Sequence, residues 1–249
     1  MPSESVRSVE RAAMVLKVLA ESGASMGVSQ IAQATGLGKT TAHRLLASLT
    51  RADFVRVEPK SRQYSLGGGL LQLTANWLSG FGIRTVALPH LRALRQQTSE
   101  TVSLNIRDGD TRIAIERLDT SHEVRFVVEL GRAIPLHVGA TGKAILAFLP
   151  ESEMHEALES AGTDIGDLSR LHDELAKIRR AGAAISTGER VPGTRSISAP
   201  VFGSEGTVIA SISILSLESR LDETDITKFQ RMVIETAKNV SGDLGFAGH

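Results

Sequence analysis

The chain has 249 residues, 41% of them hydrophobic and 22% charged, an ordinary globular composition with room for one or two cores. It holds no cysteine, which excludes disulfides and thiolate metal sites and fits a reducing compartment. The net charge of zero excludes a uniformly basic molecule, yet residues 1–66 carry nine Lys/Arg against five Asp/Glu and residues 67–249 nineteen against twenty-three. That split reads as a basic module on an acidic body, or as chance.

Residues 1–10 are polar, unlike a secretory leader, and the longest charge-free apolar stretch, about residues 206–217, is shorter than the roughly 20 residues a membrane span needs. A cytoplasmic location with no membrane partner is expected. Residues 7–22 place Val9, Ala12, Ala13, Leu16 and Leu19 at helical spacing, and Gly23 stops that helix. SQIAQATG predicts a second helix with Ser29 as N-cap and Gly36 as C-cap. A third runs from Gly38-Lys39 to about Arg51, and VRVEPKSRQYSLG alternates, turns and alternates back as a short hairpin. Three helices and a two-stranded ribbon make the winged helix order.

Gly67-Gly68-Gly69 then reads as the entrance to an inter-domain connector, a helix carrying Leu70, Leu73, Trp77 and Leu78 on one side. Beyond it the expected elements are a helix to Thr98, strands TVSLNIR and TRIAIERL around Asp108-Gly109-Asp110, and a third strand VRFVVEL. Two helices within 142–160, another over 167–181, strands TRSISAPVF and TVIASISIL, and a closing helix DITKFQRMVIETAKNV follow. The fold class is α+β, with a mainly antiparallel sheet flanked by helices. The expected domains are residues 1–66, a linker helix over 67–81, and 82–249.

Successive helix residues turn by about 100°, so Ala42, Leu45, Leu46 and Leu49 of the third helix point into a core while Thr40, Arg44, Ala47 and Arg51 face away, flanked by Thr41, His43 and Ser48. The outer face has no acidic residue. Its hydroxyls, imidazole and guanidiniums suit phosphates and base edges; a solvated face on a structural helix is the plain alternative. Arg44 is the candidate for a two-toothed contact to guanine, Lys39, Thr40 and Thr41 for phosphates at the helix start, and Arg56, Lys60 and Arg62 of the wing for the flanking backbone. GLGKTT is no phosphate-binding loop, because Gln33 stands where the motif needs glycine; GATGKA has Ala144 where it needs Ser or Thr.

RSVERAAMVLKVLAES, IAQATGLGKTTAHRLLASL and RQYSLG, followed in order by PLHVGATGKAILA, GERVPG with ISAPVF, and ASISI, resemble the IclR family of bacterial transcriptional regulators over about residues 6–245. The resemblance implies a winged helix-turn-helix, a linker helix and a GAF/PAS-like effector domain. It also implies dimers or tetramers on double-stranded, near-palindromic operator DNA, repressors among them.

From the residues themselves, the segment HVGATGKAILAF offers small residues before a helix, with Thr141 as a possible cap and free amides near residues 141–143 to attract a carboxylate. Tight packing explains the small residues equally well. By resemblance, a small organic acid would lie against Ala140, Thr141, Ser186, Ser196, Ser213 and Leu215, with Phe126 as an apolar wall. Relatives with a small oxo-acid have aspartate at the place of Ser186, cysteine at Ser196 and serine at Leu215. The pocket is therefore expected to be less charged and partly more apolar, and its ligand larger than a two- or three-carbon acid, an aromatic carboxylate for example.

His137 bonds the pocket loop or fills a core position. The histidines at 90, 122, 155, 172 and 249 form no metal-ligand pair, and Glu189 beside Arg190 reads as a solvated pair. No catalytic signature is present and no cofactor or metal is expected; Ser196 with His137 lacks an orienting acid. An architectural DNA-binding protein with a non-sensing C-terminal domain is the alternative to a ligand-responsive regulator. In the latter, ligand would shift the linker helices and hence the spacing of paired recognition helices, about 34–36 Å on one duplex turn.

Overall fold

The computed structural model describes residues 6–80, 82–161 and 168–247, with the side chains of residues 75–80 and 161 outside that description. The side chains of Trp77 and Leu78, residue 81 at the linker boundary, residue 167 at the start of a predicted helix, and His249 therefore lie outside the described residues. The chain divides into two compact units, Met1–Gly80 and Phe81–His249.

The first unit runs α1 (Arg7–Ser22), α2 (Val28–Thr35), α3 (Lys39–Arg51), β1 (Val55–Val57), β2 (Tyr64–Leu66) and α4 (Gly68–Gly80). Its core is Val15, Leu19, Ile31, Leu46, Leu49 and Val55, with Ala12, Leu16, Leu45 and Tyr64 packed at the edge. The buried stripe of α1 is thus 12-15-16-19. Val9, which fits the same helical period, is 65% exposed and Ala13 is exposed as well; spacing alone allows both phases, and packing on α2 and α3 selects one. α2 begins two residues earlier than its serine suggests. Gly27 is the N-cap, its amide donating to Gln30 Oε1 at 2.8 Å, and Ser29 is already inside the helix. Gly36 closes the helix in the left-handed conformation at φ +66°.

The triple glycine does more than punctuate the chain. Gly68 and Gly69 lie within α4, and a Cβ on Gly67 would come 2.3 Å from the carbonyl oxygen of Asp53. Gly67 N donates to Phe54 O at 2.8 Å and Gly69 N to Asp53 O at 2.9 Å, so the start of α4 is fastened to the corner between α3 and β1. Glycine stands there because two backbones touch.

The second unit contains α5 (Ile83–Thr98), β3 (Thr101–Asp108), β4 (Thr111–Leu118), β5 (Ala133–Pro135), α6 (Gly139–Leu146), α7 (Glu151–Ala161), α8 (Leu168–Ala181), β6 (Ala184–Thr187), β7 (Thr194–Phe202), β8 (Val208–Leu217) and α9 (Glu223–Asp243). The strands form one antiparallel sheet in the order β5-β4-β3-β8-β7-β6, α6 packs on β6, β7 and β8, and α9 packs on β7, β8 and α5. This is the α+β architecture expected, with two departures. VRFVVEL forms no strand, because the free edge of β4 is taken by Ala133–Pro135 instead, and Val124, Val127 and Leu130 are left more than half exposed. The four-residue β6 went unforeseen. Among the described residues no helix is long and apolar enough to cross a membrane.

Both faces of the central strands are buried. One face carries Leu104, Ile106, Ile212 and Ile214; pleating turns Ser103, Asn105, Ser211 and Ser213 to the other. A buried face rich in serine and asparagine is costly unless its groups bond one another. Toward α6 they do.

Candidate functional site

In the first unit α3 presents the face the sequence outlines. Ala42, Leu46 and Leu49 are buried and Leu45 packs on the core; Lys39, Thr40, His43, Arg44, Ser48 and Arg51 are exposed, while Thr41 and Ala47 are half-buried. Gly38 is the N-cap and no side chain caps the helix start. Arg51 Nη2 donates to Ser48 Oγ at 3.0 Å. Among the described residues the side chains of Lys39, His43 and Arg44 have no hydrogen-bond or salt-bridge partner. On the wing Arg56 Nε donates to Ser65 Oγ at 2.9 Å, and Lys60 and Arg62 are exposed at the turn, where Arg62 adopts φ +55°. Cations therefore line α3 and the wing of one small unit.

In the second unit a cavity of about 220 Å³ lies against the polar face of the sheet. Phe126, Ala140, Thr141, Ser186, Ser196, Ser213 and Leu215 all line it, so the structure brings together every residue expected there. Phe126 does so from an irregular segment rather than a strand. Two hydroxyls of the lining, those of Thr141 and Ser213, belong to a buried chain: Ser198 Oγ donates to Ser213 Oγ at 2.8 Å, Ser213 Oγ to Thr141 Oγ1 at 3.0 Å, and Ser211 Oγ to Thr141 O at 3.0 Å.

Thr141 accordingly does not cap α6. It is the third residue of that helix, whose N-cap is Val138. The first amides of α6 are engaged by side chains from β6 and the loop after it: Ala140 N donates to Ser186 Oγ at 3.0 Å and Gly139 N to Glu189 Oε1 at 3.2 Å. Glu189 is no solvated partner of Arg190. It pairs with Lys143, 7% exposed, at 2.8 Å, and Lys143 also meets Glu174 at 2.9 Å. The two explanations for the small residues divide between them. Gly142 is forced by packing, since a Cβ would come 2.3 Å from Leu136 O, whereas Gly139 and Ala140 line the cavity. His137 is half-buried and lies outside this cavity's lining.

The lining also carries charges that the sequence reading did not place there. Arg112, Arg190, Glu129 and Glu189 also line the cavity. Arg112 is 6% exposed; its Nη1 donates to Asn105 Oδ1 at 2.9 Å, Asn105 Nδ2 donates to Ser103 Oγ at 3.1 Å, and Arg112 Nε has no partner among the described residues. Burial, and then the charge of Arg190, push the Arg112 pKa down to about 10, so at neutral pH the group keeps its proton at a cost of roughly 3 kcal/mol. Sequence spacing missed Arg112 because an arginine alternating with apolar residues on a strand ordinarily faces water. The one signal was its company, as TVSLNIR and ASISI carry polar residues at alternate positions on strands otherwise apolar enough to be buried. Among the described residues no group of histidine, aspartate and glutamate could hold a metal ion.

Residues 8–59 match the IclR helix-turn-helix domain and residues 75–242 the bacterial transcriptional regulator IclR C-terminal domain. The HTH-type transcriptional repressor AllR of Escherichia coli K12 is 31% identical, over 98% of this chain and 92% of its own. A transcriptional regulator from Alicyclobacillus acidocaldarius superposes with a TM-score of 0.81 at 31% identity, covering 97% of this chain and all of that one. An IclR homolog from Microbacterium hydrocarbonoxydans, complexed with 4-hydroxybenzoate, shares the fold at a TM-score of 0.81 and 24% identity, covering 95% and 98% of the two chains. These relatives are regulators, in line with the expectation of a transcription factor rather than an enzyme. The chain belongs to the IclR family of bacterial transcriptional regulators.

Proposed function

We propose that this chain is an operator-binding regulator whose DNA affinity is modulated by a small organic acid, an aromatic or other catabolic carboxylate, held in the cavity of the second unit. The observation that carries the reading is the cavity itself. It is lined by loops, strands and the start of α6, carries bonded hydroxyls and two arginines beside two glutamates, and belongs to the second unit, whereas the basic face of α3 belongs to the first. Its volume suits a metabolite. A cavity of about 150 Å³ accommodates benzene, and this one is larger by roughly the room a carboxylate requires.

In this reading residues 1–66 bind DNA, 67–81 form the linker and 82–249 sense the effector. Arg44 reads a base edge; Lys39, Thr40, Thr41, His43, Ser48, Arg56, Lys60 and Arg62 hold the backbone. Two or four copies act on a near-palindromic operator, and the acid changes the spacing of paired recognition helices by moving the α4 helices, so that they no longer match about 34–36 Å. The test is a mobility shift of the full-length chain on a duplex that the chain itself selects from a random pool, with and without a panel of organic acids. Retardation that an acid changes at least fivefold is expected. A chain that selects no sequence, or whose affinity no acid alters, overturns the reading.

A further inference from the structure

An organic acid in this cavity needs a counter-charge, and the first two amides of α6, those of Gly139 and Ala140, are already engaged. A ligand carboxylate approaching Gly139 N meets the Glu189 carboxylate first. The two acids in the lining are themselves neutralised from outside it, Glu189 by Lys143 at 2.8 Å and Glu129 by Arg132 at 2.8 Å. Arg112 and Arg190 are not; among the described residues neither forms a salt bridge. Of the two, Arg112 is buried within the cavity wall; among the described residues its side chain bonds the neutral amide of Asn105 alone, and its Nε–H has no acceptor. A buried cation normally has an anion beside it.

Resting on the effector reading of this cavity, we propose that Arg112 is the anchor of the effector's carboxylate and that the effector is a monocarboxylate with a single ring. Arg112 belongs to β4 and Ser186 to β6, on either side of β3, β8 and β7 in the sheet. The start of α6 reaches across to β8, where Ser211 and Ser213 bond Thr141, and one strand, β3, lies between β8 and the anchor on β4. Asn105 orients the guanidinium through Nη1, which leaves Nε and the remaining donors to form a charged fork with a carboxylate. The ring then lies against Phe126, Val191 and Leu215, the apolar side of the lining.

The test is calorimetry and thermal unfolding of the full-length chain with benzoate, 4-hydroxybenzoate, phenylacetate and cinnamate, each beside its primary amide. Wild type should bind at least one acid and bind its amide about 100-fold more weakly or worse. Arg112→Met should lose that acid by at least about 100-fold. Without ligand it should melt close to wild type, because removing a buried charge that has no counter-ion offsets the loss of the donor to Asn105 Oδ1. Arg112→Lys keeps the charge but not the fork, and should lose at least tenfold in acid affinity.

Undiminished acid binding by either variant overturns the anchor while leaving the effector reading in place. So does an unliganded Arg112→Met that melts well below wild type, since that marks a structural role. A wild type that answers to none of these acids, or to their amides equally, overturns the ligand class. Acid binding that also survives the cavity-filling Ser213→Leu puts the ligand elsewhere and overturns the cavity reading itself.

Discussion

Arg44 projects from a helix without acidic residues, and no partner among the described residues restrains its guanidinium, so it meets a duplex without first breaking a bond. Arg44→Ala should weaken binding to the selected duplex by about 1–3 kcal/mol and relax sequence preference at one base pair. Lys60→Ala, at the wing turn, should instead weaken all duplexes alike and reduce the salt slope by about one. Competition mobility shifts on a panel of point-altered duplexes at several salt concentrations separate the two, and a uniform loss for Arg44→Ala would assign it to phosphate. Arg44 was legible because helix geometry sorts residues into two faces. The effector residues were not legible in that way: Ser186, Ser196 and Ser213 came from the family resemblance, since nothing in strand alternation says a serine faces a cavity. Arg112 escaped both routes. Its importance rests on which side of a buried strand the side chain takes, and on its forming no salt bridge among the described residues, neither of which a linear string records.

At the scale of elements, α3, the wing and α5 have the bounds their patterns imply, because amphipathic period and punctuating glycines act locally. VRFVVEL failed for the opposite reason. Strand propensity measures fit to a pleated, half-buried surface, and a run of β-branched residues becomes a strand only where an edge is free to pair with it. The glycine run at the start of α4 was read as the entrance to a connector, and it also makes a close contact. Gly67→Ala would press a methyl group into Asp53 O, and such overpacking typically costs about 1–3 kcal/mol. The expected result is a lower melting point and weaker operator binding, with acid affinity by calorimetry unchanged; a variant as stable as wild type would show that the corner yields.

For the whole molecule, the two units divide the charge as they divide the labour. The basic balance lies in residues 1–66, so binding to DNA is expected to fall with salt even though the net charge is zero. If an acid changes operator affinity by some factor, saturating operator must change the acid's affinity by that same factor. Calorimetry of the acid with and without the selected duplex measures it, and unequal factors would mean that the acid acts at more than one site. The fastening of Gly67 and Gly69 to the corner after α3 has one more consequence. α4 is about 20 Å long by its thirteen residues, and its first turn and the last turn of the reading helix share a joint with no slack. A rotation of that shaft would carry the end of α3 with it, whereas a glycine-serine tether of equal length would absorb the motion.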